Sequence, residues 1–133
     1  MEFIPPLESL VESLEQNHGI ESIFEVAGNE RDIPEDYQIL LIRVVQEALT
    51  NIRRHSKATK AGVKLHFNKK QILLTIEDNG RGFTEDDKAR SLTDTKKLGI
   101  IGMRERIGSL GGTFDIYTET GKGTQIVIKL SQK

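Results

Sequence analysis

The sequence has no cysteine among its 133 residues, so disulfide bonds and thiolate metal sites are excluded. It also has no run near the roughly 20 apolar residues of a membrane span. Its amino terminus lacks a basic segment followed by an apolar one. We therefore expect a soluble domain, with any membrane anchor of the full-length protein outside this stretch of chain. The lack of cysteine is compatible with an intracellular location.

Net charge is nearly absent too, because 19 basic side chains are balanced by 20 acidic ones and leave a formal charge of -1. No long-range field would draw such a chain to a nucleic-acid backbone or to an anionic membrane surface. Nucleic acid is therefore not an expected partner. A length of 133 residues favours one compact domain with a single core.

The apolar positions follow two periods, which predict about three helices and about five strands. The helices are predicted near 7–18, 35–55 and 99–110, and the strands near 20–26, 61–67, 72–76, 113–118 and 124–130. The last two strands are expected to form an antiparallel hairpin. The stretch 84–98 is polar, charged and without an apolar period, which is typical of a mobile loop. Together these elements predict an α/β two-layer sandwich, with helices on one face of a mixed, mostly antiparallel sheet.

A polar stripe borders the apolar face of the long helix. Glu47 and Asn51 lie four residues apart, so a helix projects both side chains into one small volume, and Arg54 follows one turn later. A carboxylate there suits a general base, and an amide oxygen suits a magnesium ion that bridges phosphates. An ordinary solvated helix face is the competing interpretation of the same residues.

Asp78, Gly80 and Gly82 follow a strand that is expected to be buried. Glycines at these positions let the backbone approach a ligand where a side chain would intrude. A buried carboxylate at the strand end would accept a hydrogen bond from the exocyclic amine of adenine, whereas guanine presents a carbonyl there. A simple hairpin turn is the alternative.

Two further glycine pairs follow along the chain. Gly99 and Gly102 lie where the charged loop enters a helix, so backbone N–H groups and the positive helix end would meet phosphates. Their spacing matches neither the Walker A loop nor the dinucleotide-binding fingerprint. Gly121, Gly123 and Thr124 precede the last strand, where a glycine-rich hairpin turn is the simpler explanation.

Taken in order, these four features resemble the motifs of the ATP-binding domain shared by histidine kinases, DNA gyrase, Hsp90 and MutL. The segment QEALTNIRRH at 46–55 is similar to the N box, DNGRG at 78–82 to the G1 box, GIIG at 99–102 to a short G2 box, and GKGT at 121–124 to the final glycine motif. The segments QEALTN at 46–51 and GMRER at 102–106 resemble those of the histidine kinases that are often paired with NarL-type response regulators. The resemblance covers nearly the whole chain.

This resemblance implies the Bergerat ATP-binding fold over residues 1–133, with residues 1–6 as a remnant linker. ATP would be held between the long helix and a lid at 84–98. The resemblance further implies that Glu47 is the catalytic base, that Asn51 binds Mg²⁺ and that Asp78 reads adenine. The other residues that it assigns to cofactor binding are Arg54, His55, Gly80, Gly82, Gly99, Ile101, Gly102, Met103, Gly123 and Thr124.

It also implies an enzyme, the catalytic domain of a protein-histidine kinase in two-component signalling, with ATP and Mg²⁺ as cofactors. The γ-phosphoryl group would go to a histidine on a dimerisation helix of the same kinase, and no candidate for that histidine precedes Pro5. We therefore expect an excised domain that binds ATP, hydrolyses it slowly at most and is monomeric alone. The full-length kinase is expected to be a homodimer that acts on a NarL-type response regulator.

Two other functions fit the same resemblance. A serine kinase of the anti-sigma-factor type has a similar catalytic domain and needs no dimerisation helix, although the GMRER segment argues against it. An ATP-gated conformational module of the gyrase and Hsp90 type is the second, although those proteins are much larger and have longer lids. An α/β domain that binds no nucleotide is the remaining alternative, and four ordered motifs disfavour it.

Overall fold

The computed structural model describes residues 4–81 and 100–131. Within these ranges the elements are α1 (Ile4–His18), β1 (Glu21–Gly28), α2 (Glu35–Asn51), a π-helical turn (Ile52–Ser56), β2 (Lys60–Phe67), β3 (Gln71–Asp78), α3 (Ile100–Ser109), β4 (Thr113–Glu119) and β5 (Gly123–Ser131). None of the helices in these ranges combines the length and the hydropathy that a membrane crossing needs.

The strands form one mixed sheet in the order β1-β2-β3-β5-β4. β1 runs parallel to β2, with Glu21 opposite Lys60, and the other neighbouring strands are antiparallel. α2 lies in the crossover connection that a parallel pair requires. The predicted mixed, mostly antiparallel sheet is confirmed, and so is the predicted hairpin of the last two strands.

Alternate residues of the strands point into the core. In β3, Ile72, Leu74 and Ile76 are buried, whereas the residues between them are only half-buried. The sheet therefore has one face against the helices and one face toward solvent. The helices complete this core with the buried residues Leu7, Val11, Leu14, Leu40, Leu41, Val44, Val45, Ala48, Leu49, Met103 and Ile107.

The first helix begins at Ile4, before the two prolines rather than after them. Pro5 and Pro6 lie in its first turn, where a backbone N–H has no intrahelical partner, so its absence costs no hydrogen bond. Residues 4–6, which the resemblance assigns to a linker, are thus helical.

The second helix changes its winding near its end. It is α-helical as far as Asn51, and Ile52–Ser56 continue as one π-helical turn before Lys57 adopts a left-handed conformation with a φ of 55°. A π turn holds more residues than an α turn, so the 3.6-residue period predicted as far as His55 is wrong beyond Asn51. Arg54 consequently does not continue the α-helical face at the predicted angle.

Replacing Leu74 by alanine should lower the free energy of unfolding by about 2–5 kcal/mol, because the side chain is fully buried on the central strand. Its neighbours across the sheet, Leu65 and Ile128, are fully buried as well. Urea unfolding measures the change. The control is Ile23→Ala on β1, whose side chain is 57% exposed and whose loss should cost less than about 0.5 kcal/mol. Equal losses in the two variants would contradict a core confined to one face of the sheet.

Candidate functional site

The inner face of the sheet ends in polar side chains on three neighbouring strands. Asp78 continues the inward positions of β3 after Ile76, and Thr124 precedes those of β5. Asp78 pairs with Thr124, and Thr124 pairs with Thr118 of β4, so the three residues form a row across the sheet. The hydroxyl oxygens of Thr118 and Thr124 are 3.2 Å apart. We call Asp78, Thr124 and Thr118 the inner polar row, and it lies where the apolar core ends.

Asp78 is held by the turn that follows it. The backbone N–H of Gly80 donates a hydrogen bond of 2.8 Å to Asp78 Oδ1, and Gly80 is itself buried. Burial raises the pKa of Asp78 above its ordinary value, and the hydrogen bond from Gly80 partly opposes that rise. A half-buried carboxylate at a strand end, with a raised pKa, is a candidate for binding a ligand that donates a hydrogen bond.

The final glycine motif lies against the same turn. Gly123 has a φ of 113°, and a Cβ built there would overlap the backbone carbonyl of Asp78. The N–H of Gly121 donates to the carbonyl oxygen of Arg81 over 2.7 Å. Because glycine tolerates both the positive φ and the close approach, the segments that resemble the G1 box and the final glycine motif meet in space.

Asn79 has a position that the sequence did not indicate. Its Oδ1 accepts hydrogen bonds from the N–H groups of Thr59 and Lys60, at 3.0 and 2.9 Å, and its Nδ2 donates to Thr59 Oγ1 over 2.9 Å. These bonds clamp the loop after the π-helical turn to the end of β3. The available signal was an asparagine directly before a glycine, but that pair equally predicts a plain turn.

Glu47 and Asn51 lie on the last turns of α2, and both are half-buried. Glu47 Oε1 accepts a hydrogen bond of 3.2 Å from Arg106 Nη1 on α3. Glu47 Oε2 is buried, and no donor among the described residues reaches it. Sequence reasoning missed Arg106, because no spacing rule relates two residues that are 59 positions apart.

Three other predicted cofactor residues are also placed. The side chain of Arg54 is exposed on the π-helical turn. Gly102 lies on α3 next to the guanidinium of Arg106. Met103 is fully buried in the hydrophobic core, which favours a packing role over the predicted contact with the cofactor.

Several predicted positions fall wholly or partly outside the described residues. Gly82, Gly99 and the lid at 84–98 lie outside the described residues. His55 belongs to the π-helical turn and Ile101 to α3, but their side chains fall outside the described part of the chain. Their roles stay predictions.

Comparison with known proteins decides the family. Residues 20–133 match the family described as histidine kinase-, DNA gyrase B- and HSP90-like ATPase. The chain belongs to this ATPase family. The DegS histidine-protein kinase/phosphatase of Brevibacillus brevis is 37% identical over 127 residues, which cover 96% of this chain and 32% of that protein. The sensor protein VraS of Staphylococcus saprophyticus is 34% identical over 92% of this chain and 33% of its own length. The ATPase domain thus spans about a third of the length of these relatives.

Solved structures of histidine kinases have the same fold as this ATPase domain. The histidine kinase AdeS of Acinetobacter baumannii superposes with a TM-score of 0.75 at 18% identity, over 98% of this chain and 65% of that chain. The catalytic domain of the histidine kinase ThkA gives a TM-score of 0.72 at 19% identity, over 98% of this chain and 90% of that one. These likenesses confirm the predicted sandwich of helices on a mixed sheet.

Replacing Asp78 by asparagine should raise the stability of the ATPase domain at neutral pH. The raised pKa means that the folded state disfavours the charged carboxylate. The free energy of unfolding therefore falls as the pH rises from 3.8, the ordinary pKa of this carboxyl, through its higher pKa in the folded state. Asparagine carries no charge and keeps an oxygen for the N–H of Gly80.

Thermal unfolding of both proteins, from below pH 3.8 to neutral pH, measures this difference. The gap between the two midpoints should close at the acidic end, where Asp78 is protonated in the folded and unfolded states alike. A gap that does not change with pH would show that burial of charge is not its cause.

Proposed function

We propose that this chain binds ATP with Mg²⁺ and acts as the catalytic domain that phosphorylates a histidine on a separate dimerisation helix in two-component signalling. The inner polar row is the observation that carries this function. It presents a half-buried carboxylate and two hydroxyls at the end of the core. The backbone of Gly123 lies beside it, in close contact with the backbone of Asp78. The curated relatives support the choice of acceptor, because DegS is a histidine-protein kinase.

Asp78 suits the exocyclic amine of adenine. A carboxylate oxygen accepts a hydrogen bond from that amine, whereas guanine presents a carbonyl and would leave the buried oxygen unpaired at a cost of ~1–3 kcal/mol. Thr124 lies opposite Asp78 and would place a hydroxyl beside the base. Gly123 allows the final glycine motif to pack against the backbone of Asp78, because a Cβ there would overlap the Asp78 carbonyl.

The residues at the end of α2 fit a magnesium ion. Asn51 offers an amide oxygen one helical turn from Glu47, whose buried Oε2 meets no donor in the ranges 4–81 and 100–131. The amide oxygen of Asn51 is a hard ligand of the kind that suits Mg²⁺ together with phosphate oxygens. Asn51 would hold the ion, and Arg54 and His55 would contact the phosphates. When bound, the ion supplies positive charge that stabilises the transferred phosphoryl group.

Glu47 is the proposed base. One ring nitrogen of the acceptor histidine attacks the γ-phosphorus, a P–N bond forms, the bond to the β,γ-bridging oxygen breaks, and ADP leaves. The imidazole then loses the proton of its other ring nitrogen. Of the two carboxylate oxygens, Oε2 would accept that proton, because Oε1 already accepts the hydrogen bond of Arg106. Since Oε2 is buried, docking of the acceptor helix would have to uncover it.

The partners of the full-length protein form the rest of the hypothesis, because the chain spans about a third of its curated relatives. The ATPase domain alone would be a monomer in the cytoplasm. The full-length kinase would be a homodimer that supplies the acceptor helix and passes phosphate to a NarL-type response regulator. The NarL type rests on the QEALTN and GMRER segments.

Calorimetric titration with a non-hydrolysable ATP analogue and Mg²⁺ should show binding that is about tenfold or more tighter than binding of the matching GTP analogue. Asp78→Asn should lose this binding. If the amide oxygen of Asn keeps the hydrogen bond from Gly80, its N–H₂ group faces the adenine amine, and two donors meet. If the amide is flipped so that its oxygen faces adenine, the hydrogen bond from Gly80 is lost. Asp115→Asn makes the same change at an exposed position of β4 and should bind like the wild type. Equal affinity for the two nucleotides would contradict the role of Asp78.

A second experiment identifies the acceptor. With radiolabelled ATP, label should appear on an added polypeptide that carries the phosphoacceptor histidine of Brevibacillus brevis DegS. Acid should release this label, because phosphohistidine is acid-labile and phosphoserine is not. A serine-bearing substrate of the anti-sigma pathway is the matched acceptor, and Asp78→Asn is the inactive control. Acid-stable label on the serine substrate would show that the domain is a serine kinase and not a histidine kinase.

A further inference from the structure

The ion pair between Arg106 and Glu47 links α3 to α2. Arg106 Nη1 lies 3.2 Å from Glu47 Oε1 and donates a hydrogen bond to it. The other carboxylate oxygen, Oε2, is buried, and within the described ranges it has no donor. The two oxygens of one side chain therefore have different surroundings, one bonded to a cation and one without a donor from the described residues.

This asymmetry has a physical consequence for Glu47. A guanidinium that donates to Oε1 restrains the plane of the carboxylate, since the group cannot rotate without losing a charge-assisted hydrogen bond. Oε2 is thereby held in one direction. Burying a carboxylate oxygen without a partner is unfavourable, and folded proteins seldom retain such an atom unless it has a use.

Gly102 lies beside the guanidinium of Arg106. It is one helical turn before Arg106, and a Cβ on Gly102 would lie 3.4 Å from Arg106 Nη2 and 3.7 Å from Cζ. Side chains on a helix lean toward its amino-terminal end, so Arg106 runs back over the glycine as it reaches Glu47. A longer side chain at position 102 would compete for the same space.

The pair contributes little to folding. The side chains of Arg106 and Glu47 are 47% and 38% exposed, and water screens ion pairs of this kind. Its geometry is better explained by its effect on the orientation of Glu47 than by its effect on stability.

We propose that Arg106 is a positioning residue for phosphoryl transfer, which holds Glu47 Oε1 so that Oε2 is directed at the proton leaving the acceptor histidine. This inference rests on the proposed function, because that function makes Glu47 the base. In this role Arg106 would act through Glu47 and would not itself contact nucleotide or acceptor. Its loss should therefore lower the rate of transfer and leave the affinity for ATP unchanged.

The test compares Arg106→Ala with Arg104→Ala, which removes an arginine from the same helix. Arg104 lies instead over Phe114, with its Cζ 5.6 Å from the ring centre. Single-turnover transfer of radiolabel to the histidine-bearing DegS polypeptide is measured at increasing ATP concentration. Arg106→Ala should lower the maximal rate about tenfold, with the half-saturating ATP concentration changed by less than about twofold. Arg104→Ala should match the wild type.

Two further measurements separate positioning from a structural role. Arg106→Lys should recover part of the rate, because an ammonium still donates to Oε1 although it lacks the planar fork. Added ethylguanidinium should raise the rate of Arg106→Ala and leave Arg104→Ala unchanged, since it replaces the missing group. Thermal unfolding should give similar midpoints for the two alanine variants.

Each result has a distinct meaning. An unchanged rate for Arg106→Ala, with the wild type active, would overturn the inference and leave the proposed function intact. A faster rate would show that the ion pair is inhibitory. A higher half-saturating ATP concentration at an unchanged rate would show that Arg106 contacts the nucleotide. Either result would overturn the positioning role. A destabilised Arg106→Ala that ethylguanidinium does not rescue would show a structural residue. No transfer by the wild type would overturn the proposed function itself.

Discussion

The pairing of β3 with β5 is the constraint on which both the core and the candidate site depend. Three apolar pairs lie on its inner face, Ile72 with Leu130, Leu74 with Ile128 and Ile76 with Ile126, and the next inward pair is Asp78 with Thr124. Side chains alternate from one face of a strand to the other, so a slip of one residue would expose the apolar side chains of the slipped strand to water. The same slip would break the pair of Asp78 and Thr124. The forces that bury the core therefore also hold the polar row in place.

This coupling explains which parts of the molecule the sequence could predict. The strands were predictable because alternation is a local pattern, and Asp78 was found because it ends such a strand. The contact of Arg106 with Glu47 was not predictable, because it depends on how two helices dock on one sheet. The π-helical turn after Asn51 was missed because helical periodicity carries no mark of a change in winding. The structure brings the predicted G1 segment and final glycine motif together, whereas the ligand roles of their residues remain predictions.

Two unfavourable features of the described residues lie where the core meets the candidate site. Among the described residues, those that are buried as a whole and carry large side chains are apolar. At the border of this core, desolvation raises the pKa of Asp78, and Glu47 Oε2 is buried without a donor from those residues. Proteins commonly retain such local costs at positions that bind or react, where the rest of the fold offsets them. Asp78 and Glu47 are therefore the first positions at which a substitution should make this fold more stable.

The clamp formed by Asn79 also limits how the chain can vary in length. The loop after the π-helical turn leaves the left-handed residue Lys57 and is held two residues later by the bonds of Thr59 and Lys60 to one side-chain oxygen. This loop is short and held at both ends, so an inserted residue would have to break those bonds or shift β2 along β3. The turn at 68–70 is closed by the short-range bond between Asn68 and Gln71 and lies at the opposite end of the same hairpin. Length changes and inserted tags therefore belong at that far turn, whereas the bonds to Asn79 fix the number of residues between Asn51 and Lys60.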